Sequence, residues 1–185
     1  MTTFYLDMDG VVADWETAAA DFLNRPIRDP DTLTHYRNSP EEWGKIKTQI
    51  RFYRDLPLMP QAERLVNLAR QYRDTLNWRL LFLTAVPLKD DMPWAFNDKV
   101  LWALERFPDI PVHFGPHSGD KFKHCKEGDI LVDDRPDNCA QWRAAGGTAF
   151  KVDHNDLNTV LELIENDLRI RVDLKNQRDI ALDLI

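Results

Sequence analysis

Residues 4–12 of the chain are Phe-Tyr-Leu-Asp-Met-Asp-Gly-Val-Val, an apolar run that stops at two closely spaced aspartates. A short apolar run that ends in polar residues indicates a buried strand, which we predict over residues 3–8. Side chains alternate between the two faces of a strand, so Asp7 and Asp9 would point the same way, roughly 7 Å apart. Two carboxylates this close either bind a cation or share a proton, although an isolated pair of this kind is as often a solvated turn.

Three further polar segments follow predicted strands or lie between them. Thr84 ends a second apolar run, Asp133 and Asp134 end a third, and Lys121 lies between these two runs. Ligands of open α/β sheets bind outside the carboxyl ends of the strands. We therefore expect the four segments to converge on one phosphoryl-transfer site, and together they argue against a merely structural role for the aspartate pair.

Strand and helix patterns alternate along the chain. Strands are predicted over residues 3–8, 79–83, 111–114, 129–132 and 148–152, and helices over residues 15–23, 41–54, 61–72, 94–106, 136–145 and 157–168. This alternation is typical of an α/β protein with a parallel sheet and helices on both of its faces. We therefore predict a Rossmann-like sheet with a small helical cap inserted after the first strand.

The predicted domains follow from this pattern. The core domain comprises residues 1–14 and 58–168, and the cap comprises residues 15–57, where helical stretches flank a segment rich in turn formers. Residues 169–185 form a C-terminal tail whose amphipathic character allows a helix that packs on the domain or on a second subunit. The sequence therefore allows a homodimer but does not decide between these two arrangements.

Composition limits the chain to a modest architecture. With 185 residues, of which 43% are hydrophobic, it suits one domain with a small insertion. A net charge of −7 argues against an extended nucleic-acid surface, because duplex binding depends on lysine and arginine. The sequence has no apolar run long enough to span a membrane and starts in a strand without a charged leader, so we expect a soluble cytoplasmic protein.

Cysteines and histidines do not indicate a second site. Cys125 and Cys139 are expected to be free thiols, because two cysteines in a chain without a secretion signal seldom pair. The spacing of His113, His117, His124 and Cys125 matches no compact zinc motif, so loop or surface roles are expected for them.

The four segments resemble the signature motifs of the haloacid dehalogenase superfamily, and they occur in the same order along the chain. Within that superfamily the sequence is most similar to the 5'(3')-deoxyribonucleotidases. The segments that carry this likeness are residues 7–16 (Asp-Met-Asp-Gly-Val-Val-Ala-Asp-Trp-Glu), 52–60 (Phe-Tyr-Arg-Asp-Leu-Pro-Leu-Met-Pro) and 130–137 (Ile-Leu-Val-Asp-Asp-Arg-Pro-Asp). The resemblance extends over residues 4–150 and is weak across residues 17–50.

The resemblance implies a two-step mechanism that uses four aspartates. Asp7 would attack phosphorus to form an aspartyl-phosphate, and Asp9 would protonate the leaving oxygen and then activate water. Mg²⁺ would be held by the carboxylates of Asp7 and Asp134 and by the backbone carbonyl of Asp9. Asp133 would support these ligands, although acidic pairs after a strand also serve as helix caps.

The resemblance also assigns two phosphate contacts. Thr84 would offer its hydroxyl, and the backbone N–H after it, to a phosphoryl oxygen. Lys121 would neutralise the phosphoryl oxygens and the Asp7 carboxylate, since charge compensation carries most of phosphoryl-transfer catalysis. Each is weak evidence alone, because a threonine at a strand end is usually structural and a single lysine, including the rival Lys123, is usually solvated.

Two substrate-binding positions depart from the deoxyribonucleotidase pattern. Ala85 stands where those enzymes have a serine after the motif threonine, which removes one hydroxyl near the phosphate. Trp15 stands in place of a phenylalanine that packs on the nucleotide, and its indole keeps a stacking surface. Further aromatic residues of the cap are candidates for base contacts, although at helical spacing such residues are more often core: Phe22, Tyr36, Trp43 and Phe52.

The leading prediction is a Mg²⁺-dependent phosphatase that acts on a small phosphorylated substrate, a deoxyribonucleoside monophosphate. One alternative is a phosphatase of the same superfamily that acts on another small phosphomonoester or on a polynucleotide end. Another is a non-catalytic, phosphate-binding regulatory domain. That domain would have lost the nucleophile or the acid, and both are present in the sequence.

Overall fold

A parallel sheet of five strands forms the centre of the molecule. The structure, a computed structural model, describes residues 1–27, 38–87, 92–115, 117–153 and 156–183. The strands are Thr3–Leu6 (β1), Arg79–Thr84 (β2), Val112–Phe114 (β3), Ile130–Asp133 (β4) and Thr148–Lys151 (β5). Their order in the sheet is β3-β2-β1-β4-β5, so β1 lies in the middle, with β2 and β3 on one side of it and β4 and β5 on the other.

Helices connect the strands. The six α-helices are Trp15–Leu23 (α1), Pro40–Thr48 (α2), Ala62–Leu76 (α3), Ala95–Arg106 (α4), Pro136–Ala144 (α5) and Leu157–Asp183 (α6), and Ser118–His124 form a 3-10 helix. Parallel neighbours need crossover connections, which these helices supply. The predicted α/β fold with a parallel sheet is therefore confirmed.

The sheet is buried on both faces, as its short apolar strands require. Phe4 and Leu6 of β1 belong to the larger apolar cluster, which α3, α4 and α6 cover. Tyr5, between them, belongs to a smaller cluster on the other face, where Trp142 of α5 packs at 5.2 Å from its ring. This alternation follows from the two-residue period of a strand.

The insertion after β1 contains two short capped helices. α1 begins after Asp14, whose Oδ1 accepts a hydrogen bond from the backbone N–H of Thr17 (3.0 Å), and ends at Asn24 in a left-handed conformation. α2 begins with a reciprocal capping box between Ser39 and Glu42. Local sequence therefore determines where both helices begin.

The helix predicted over residues 41–54 is too long. α2 ends at Thr48, and Arg51 takes a left-handed backbone conformation (φ 68°), which a continuing helix does not allow. The turn buries the adjacent residues Phe52 and Tyr53 in the main apolar cluster. Tertiary burial of this pair therefore overrides the helical pattern.

The insertion and the sheet share one apolar cluster. Trp102 of α4 donates a hydrogen bond from Nε1 to the carbonyl of Leu56 at the end of the insertion (2.7 Å). The division into a core over residues 1–14 and 58–168 and a cap over residues 15–57 stays a prediction.

The C-terminal helix is longer than predicted. The helix expected over residues 157–168 continues through the described part of the predicted tail as α6. Three apolar residues of this extension, Ile170, Leu174 and Ile180, are more than half exposed. In the described ranges no helix has the length and apolar character needed to cross a membrane.

Candidate active site

The predicted site residues meet at the carboxyl ends of β1, β2 and β4. A cavity of about 220 Å³ opens there. It is lined by Asp7, Asp9, Gly10, Trp15, Glu16, Tyr53, Ala85, Ser118, Lys121, Asp134 and Arg135. The expected convergence of the four segments is therefore observed.

The loop after β1 departs from the predicted strand. β1 ends at Leu6, and the carbonyl of Met8 accepts backbone hydrogen bonds from the three residues 11–13 (3.2, 2.9 and 2.8 Å). Asp7 thus precedes a tight turn and Asp9 lies within it, so the two do not lie on one face of a strand. The strand-alternation argument for this pair is wrong, and each carboxylate has its own cationic partner.

Gly10 fills a position that only glycine suits. Its φ is +73°, a left-handed conformation that other residues rarely adopt. A Cβ at Gly10 would also lie 2.8 Å from Oδ2 of Asp134. The glycine therefore lets the β1 loop and the Asp134 carboxylate approach each other.

Lys121 is buried between two carboxylates. Its Nζ lies 2.7 Å from Oδ2 of Asp7 and 2.7 Å from Oδ2 of Asp133. Burial alone would lower the pKa of Lys121, but these two negative charges outweigh it and raise the pKa. The side chain is therefore an ammonium at neutral pH. Its sequence rival, Lys123, is exposed and pairs with Asp120 on the surface.

The two aspartates after β4 have different surroundings. Asp133 is fully buried, and besides Lys121 its carboxylate accepts hydrogen bonds from the backbone N–H of Arg135 (2.9 Å) and from Nδ2 of Asn138 (2.9 Å). Asp134 lines the cavity, and no described residue donates a hydrogen bond to its carboxylate. Asp134 is thus the carboxylate of the pair that is free to take a ligand.

Three carboxylates form a cluster with an excess of negative charge. Oxygens of Asp7, Asp133 and Asp134 lie within 4.8 Å of one another, and in the described part of the chain this is the one group suited to a metal ion. Burial, together with the charges of Asp7 and Asp133, raises the pKa of Asp134 to about 8. Burial and Asp7 also raise the pKa of Asp133. A divalent cation would relieve this repulsion, and an all-oxygen donor set suits a hard cation.

Lys99 is a site residue that the sequence patterns did not predict. It lies on α4 and is 1% exposed, and its Nζ donates to Oδ2 of Asp9 (2.5 Å), to Oγ1 of Thr84 (2.9 Å) and to the carbonyl of Ala85 (2.8 Å). A signal was present in the sequence. Lys99 follows Ala95 by four residues and precedes Trp102 by three, so it occupies the buried stripe of its helix.

The carboxyl group of Asp9 is buried, and its two oxygens differ in their hydrogen bonding. Burial raises the pKa of Asp9, although the Lys99 ammonium opposes this effect. Oδ2 is bound by Lys99, whereas Oδ1 is shielded from solvent and has no hydrogen-bond partner among the described residues. A carboxyl of raised pKa that lines the cavity beside Asp7 is suited to proton transfer.

Thr84 lies deeper than expected. Its side chain is fully buried and does not line the cavity, and its hydroxyl accepts the hydrogen bond from Lys99. Ala85, the next residue, does line the cavity. Contact of the Thr84 hydroxyl with a phosphoryl oxygen stays a prediction.

Trp15 lines the cavity from the N-terminal turn of α1. Its ring packs against Trp43 at 6.1 Å and Phe52 at 5.9 Å, and Phe22 packs on Phe52 at 6.5 Å. None of these three partners lines the cavity. Tyr36, another candidate base contact, lies outside the described residues. Tyr53, which was not predicted, is the second aromatic residue of the cavity wall.

Comparisons with known proteins agree with this geometry. A family model described as "5' nucleotidase, deoxy (Pyrimidine), cytosolic type C protein" matches residues 1–162. A curated Staphylococcus aureus protein named "Putative 5'(3')-deoxyribonucleotidase" is 30% identical over 143 residues, covering 71% of this chain and 72% of that protein. A protein of the same name from Staphylococcus epidermidis is 29% identical over 142 residues, covering 71% and 73%.

A solved structure supports the fold. A hydrolase from Streptococcus pneumoniae superposes with a TM-score of 0.50 at 18% identity, and the match covers 86% of this chain and 97% of that one. At this identity the likeness concerns the fold alone.

Proposed function

The chain belongs to the cytosolic type C family of deoxy (pyrimidine) 5'-nucleotidases, and we propose that it hydrolyses deoxyribonucleoside monophosphates through an aspartyl-phosphate on Asp7. Family membership confirms that it is a phosphatase of the haloacid dehalogenase superfamily, as the sequence predicted. One observation carries the proposal. A single cavity holds Asp7 and Asp9, each bound to a different buried lysine.

Asp7 is suited to be the nucleophile. Its Oδ1 accepts a hydrogen bond from the backbone N–H of Met8 (2.7 Å) and its Oδ2 accepts one from Lys121, so the carboxylate is fixed in the cavity wall. An Asp7 oxygen attacks phosphorus, the bond from phosphorus to the ester oxygen breaks, and Asp9 gives that oxygen a proton. Asp9 then takes a proton from the water that hydrolyses the aspartyl-phosphate.

Lys121 keeps one donor for the substrate. An ammonium has three N–H groups, and Lys121 gives one each to Asp7 and Asp133. We propose that the third binds a phosphoryl oxygen. Positive charge fixed beside the transferring group is the main source of catalysis in phosphoryl transfer.

The proposed cofactor is Mg²⁺. The carboxylates of Asp7 and Asp134 and the backbone carbonyl of Asp9 would hold it, with Asp133 as their support. Asp134 has the only one of the two carboxylates after β4 that no described residue engages, which supports this assignment. When bound, the ion neutralises negative charge on the phosphoryl oxygens and on Asp7.

The substrate assignment rests on Trp15 and on the names of the curated relatives. An aromatic side chain that stacks on a base contributes roughly 1–3 kcal/mol with little base preference. Burying a ribose 2'-hydroxyl in the pocket without a hydrogen-bond partner costs about 1–3 kcal/mol of binding free energy. We therefore expect selection of the sugar rather than of the base.

A substrate panel tests this proposal. Initial rates with Mg²⁺ are measured for dUMP, dTMP, UMP and a sugar phosphate, with Asp7→Asn as the background control. The expected kcat/KM for deoxyribonucleotides exceeds that for UMP by about 5- to 150-fold. Equal values for deoxy and ribo substrates, or a better sugar phosphate, would contradict the nucleotidase assignment and leave the phosphatase chemistry standing.

A second candidate substrate is another small phosphomonoester. The observation that favours it is Ala85, which lines the cavity without the hydroxyl expected of a deoxyribonucleotidase. The sugar phosphate in the panel addresses this alternative directly.

We also propose that residues 15–57 act as a cap over the site. They contribute Trp15, Glu16 and Tyr53 to the cavity wall. Replacing this segment with a short linker should raise KM for nucleotides much more than for a small aryl phosphate, and equal effects would argue against a role in recognition.

A further inference from the structure

Two buried lysines lie in the site, and they differ in how many donors they have left. Lys121 makes two hydrogen bonds to carboxylates, so one of its three N–H groups is available to a substrate. Lys99 makes three hydrogen bonds, to Asp9, Thr84 and the Ala85 carbonyl, so none is available. Lys99 therefore cannot bind a phosphoryl oxygen without breaking a bond that it already has.

The position of Lys99 is fixed from several directions. Its side chain is 1% exposed, and Nζ lies 4.7 Å from the centre of the Tyr53 ring, over its face. Two of the three acceptors, Thr84 and Ala85, belong to the end of β2 and the residue after it. The ammonium thus joins the end of β2 to the carboxyl group of Asp9.

We propose that Lys99 is a positioning residue, which holds the carboxyl group of Asp9 through Oδ2 in the orientation that proton transfer needs. The inference rests on the proposed phosphatase mechanism. Asp9 lines the cavity, and Lys99 is the one described residue that donates a hydrogen bond to its carboxyl group, since Oδ1 has no partner among the described residues. Without Lys99 the carboxyl group could rotate, and proton transfer would lose its geometry.

The two halves of the reaction depend differently on Asp9. A nucleoside alkoxide needs a proton to leave, whereas 4-nitrophenolate is a stable anion and leaves without one. With 4-nitrophenyl phosphate, formation of the aspartyl-phosphate should therefore proceed without a well-placed Asp9. Its hydrolysis should still need Asp9, because the attacking water must lose a proton.

Rapid-mixing kinetics with 4-nitrophenyl phosphate test the proposal. Lys99→Met should release one 4-nitrophenolate per active site at a rate within about threefold of wild type, followed by turnover slowed by about 10²-fold. The matched control is Lys121→Met. It should show no rapid burst, because this lysine acts on the nucleophile and the phosphoryl group. Equal loss of burst and turnover in Lys99→Met would overturn the proposal.

A double-mutant cycle tests whether Lys99 acts through Asp9. Lys99→Met should lower dUMP hydrolysis by about 10²-fold in the wild-type background and by less than about threefold in the Asp9→Asn background. The same loss in both backgrounds would contradict a positioning role. Circular dichroism and thermal melting establish that each variant is folded.

A second variant covers the case in which Lys99→Met does not fold. Lys99→Arg keeps the charge, but its planar fork cannot direct three donors at these acceptors. It should keep the burst and lose part of the turnover, and loss of both in equal proportion would count against the proposal. A wild-type protein that hydrolyses neither phosphate would instead overturn the proposed function itself, and this inference with it.

Discussion

The site has two sides, each organised around a buried lysine. The Lys121 side comprises β4, the 3-10 helix and α5, and the Lys99 side comprises β2, α4 and the end of the insertion at residues 52–56. On the Lys121 side the cation is shared by two carboxylates and keeps a free donor. On the Lys99 side every donor is already bound. In the proposed mechanism, the same residue type therefore compensates charge at Lys121 and orients a carboxyl group at Lys99.

The two sides also differ in what supports them. Asp133 is held by groups close to it in sequence, the N–H of Arg135 and the amide of Asn138. The Lys99 side instead contacts the end of the insertion, because Trp102 on the same helix as Lys99 donates to the Leu56 carbonyl and Lys99 lies over the Tyr53 ring. Substitutions in the insertion should therefore affect Asp9, the proposed acid, more than Asp7, the proposed nucleophile.

The largest expected effect comes from the nucleophile. Asp7→Asn is nearly isosteric but cannot attack phosphorus, so turnover should fall by about 10⁵-fold or more. Steady-state rates measure this loss, with the exposed Asp173→Asn on α6 as the matched control. Near-normal turnover by folded Asp7→Asn protein would contradict the assignment of Asp7 as the nucleophile, on which the comparison of the two sides depends.

Removing the cation of the Lys121 side should destabilise the fold. Lys121→Met leaves the buried carboxylates of Asp7 and Asp133 without a cation, and the free energy of unfolding should fall by about 3–5 kcal/mol. Urea denaturation measures it. Lys123→Met is the control, because its ion pair with Asp120 is exposed and screened by solvent. Similar losses in the two variants would mean that the buried ion pairs add little.

The unpaired carboxylate of the Lys121 side should make metal-free stability depend on pH. The pKa of Asp134 is about 8 in the folded protein, above the ordinary 3.8. Between these values the folded state holds a proton that the unfolded state lacks, so stability falls as pH rises. In EDTA the Tm should drop by about 3 °C or more from pH 5 to pH 8.

Two comparisons isolate this effect. Saturating Mg²⁺ should reduce the pH dependence, because the ion replaces the proton at Asp134. Asp134→Asn should reduce it without Mg²⁺. An unchanged pH dependence in Asp134→Asn would show that another group is responsible.

The smallest expected effect concerns the cavity wall contributed by the insertion. Trp15→Ala should lower kcat/KM for dUMP by about 5- to 150-fold, because a base loses its stacking surface. Hydrolysis of glycerol phosphate, which has no ring to stack, should change little. Trp43→Ala is the control, since Trp43 packs on Trp15 but does not line the cavity. Equal losses for both substrates would point to a structural role for Trp15.

Sequence patterns predicted the sheet well, because short apolar runs that are buried on both faces leave few alternatives. They also placed Asp7, Asp9 and Asp134 in one site, since strand ends in a parallel sheet meet at one edge. The conformation between Asp7 and Asp9 was mispredicted, because the turn depends on hydrogen bonds to the Met8 carbonyl rather than on alternation.

The features that the sequence patterns did not predict depend on tertiary contacts. A lysine in a helix is usually exposed to solvent. Only the position of Lys99 on the buried face of α4 distinguishes it from the exposed lysines. The different surroundings of Asp133 and Asp134 depend in part on Asn138, which hydrogen-bonds to Asp133. The end of α2 depends on the burial of Phe52 and Tyr53. The spacing of apolar residues along the sequence does not reveal such side-chain contacts.

The most direct test of the mechanism is to trap the covalent intermediate. Wild-type protein is mixed with dUMP and Mg²⁺ and quenched in acid, the acyl phosphate is reduced with borohydride, and the modified residue is located by mass spectrometry. The mechanism predicts modification at Asp7, up to one per chain, and none in Asp7→Asn. Turnover of dUMP with the modification at another residue, or with no trapped intermediate under conditions that trap one in Lys99→Met, would contradict it.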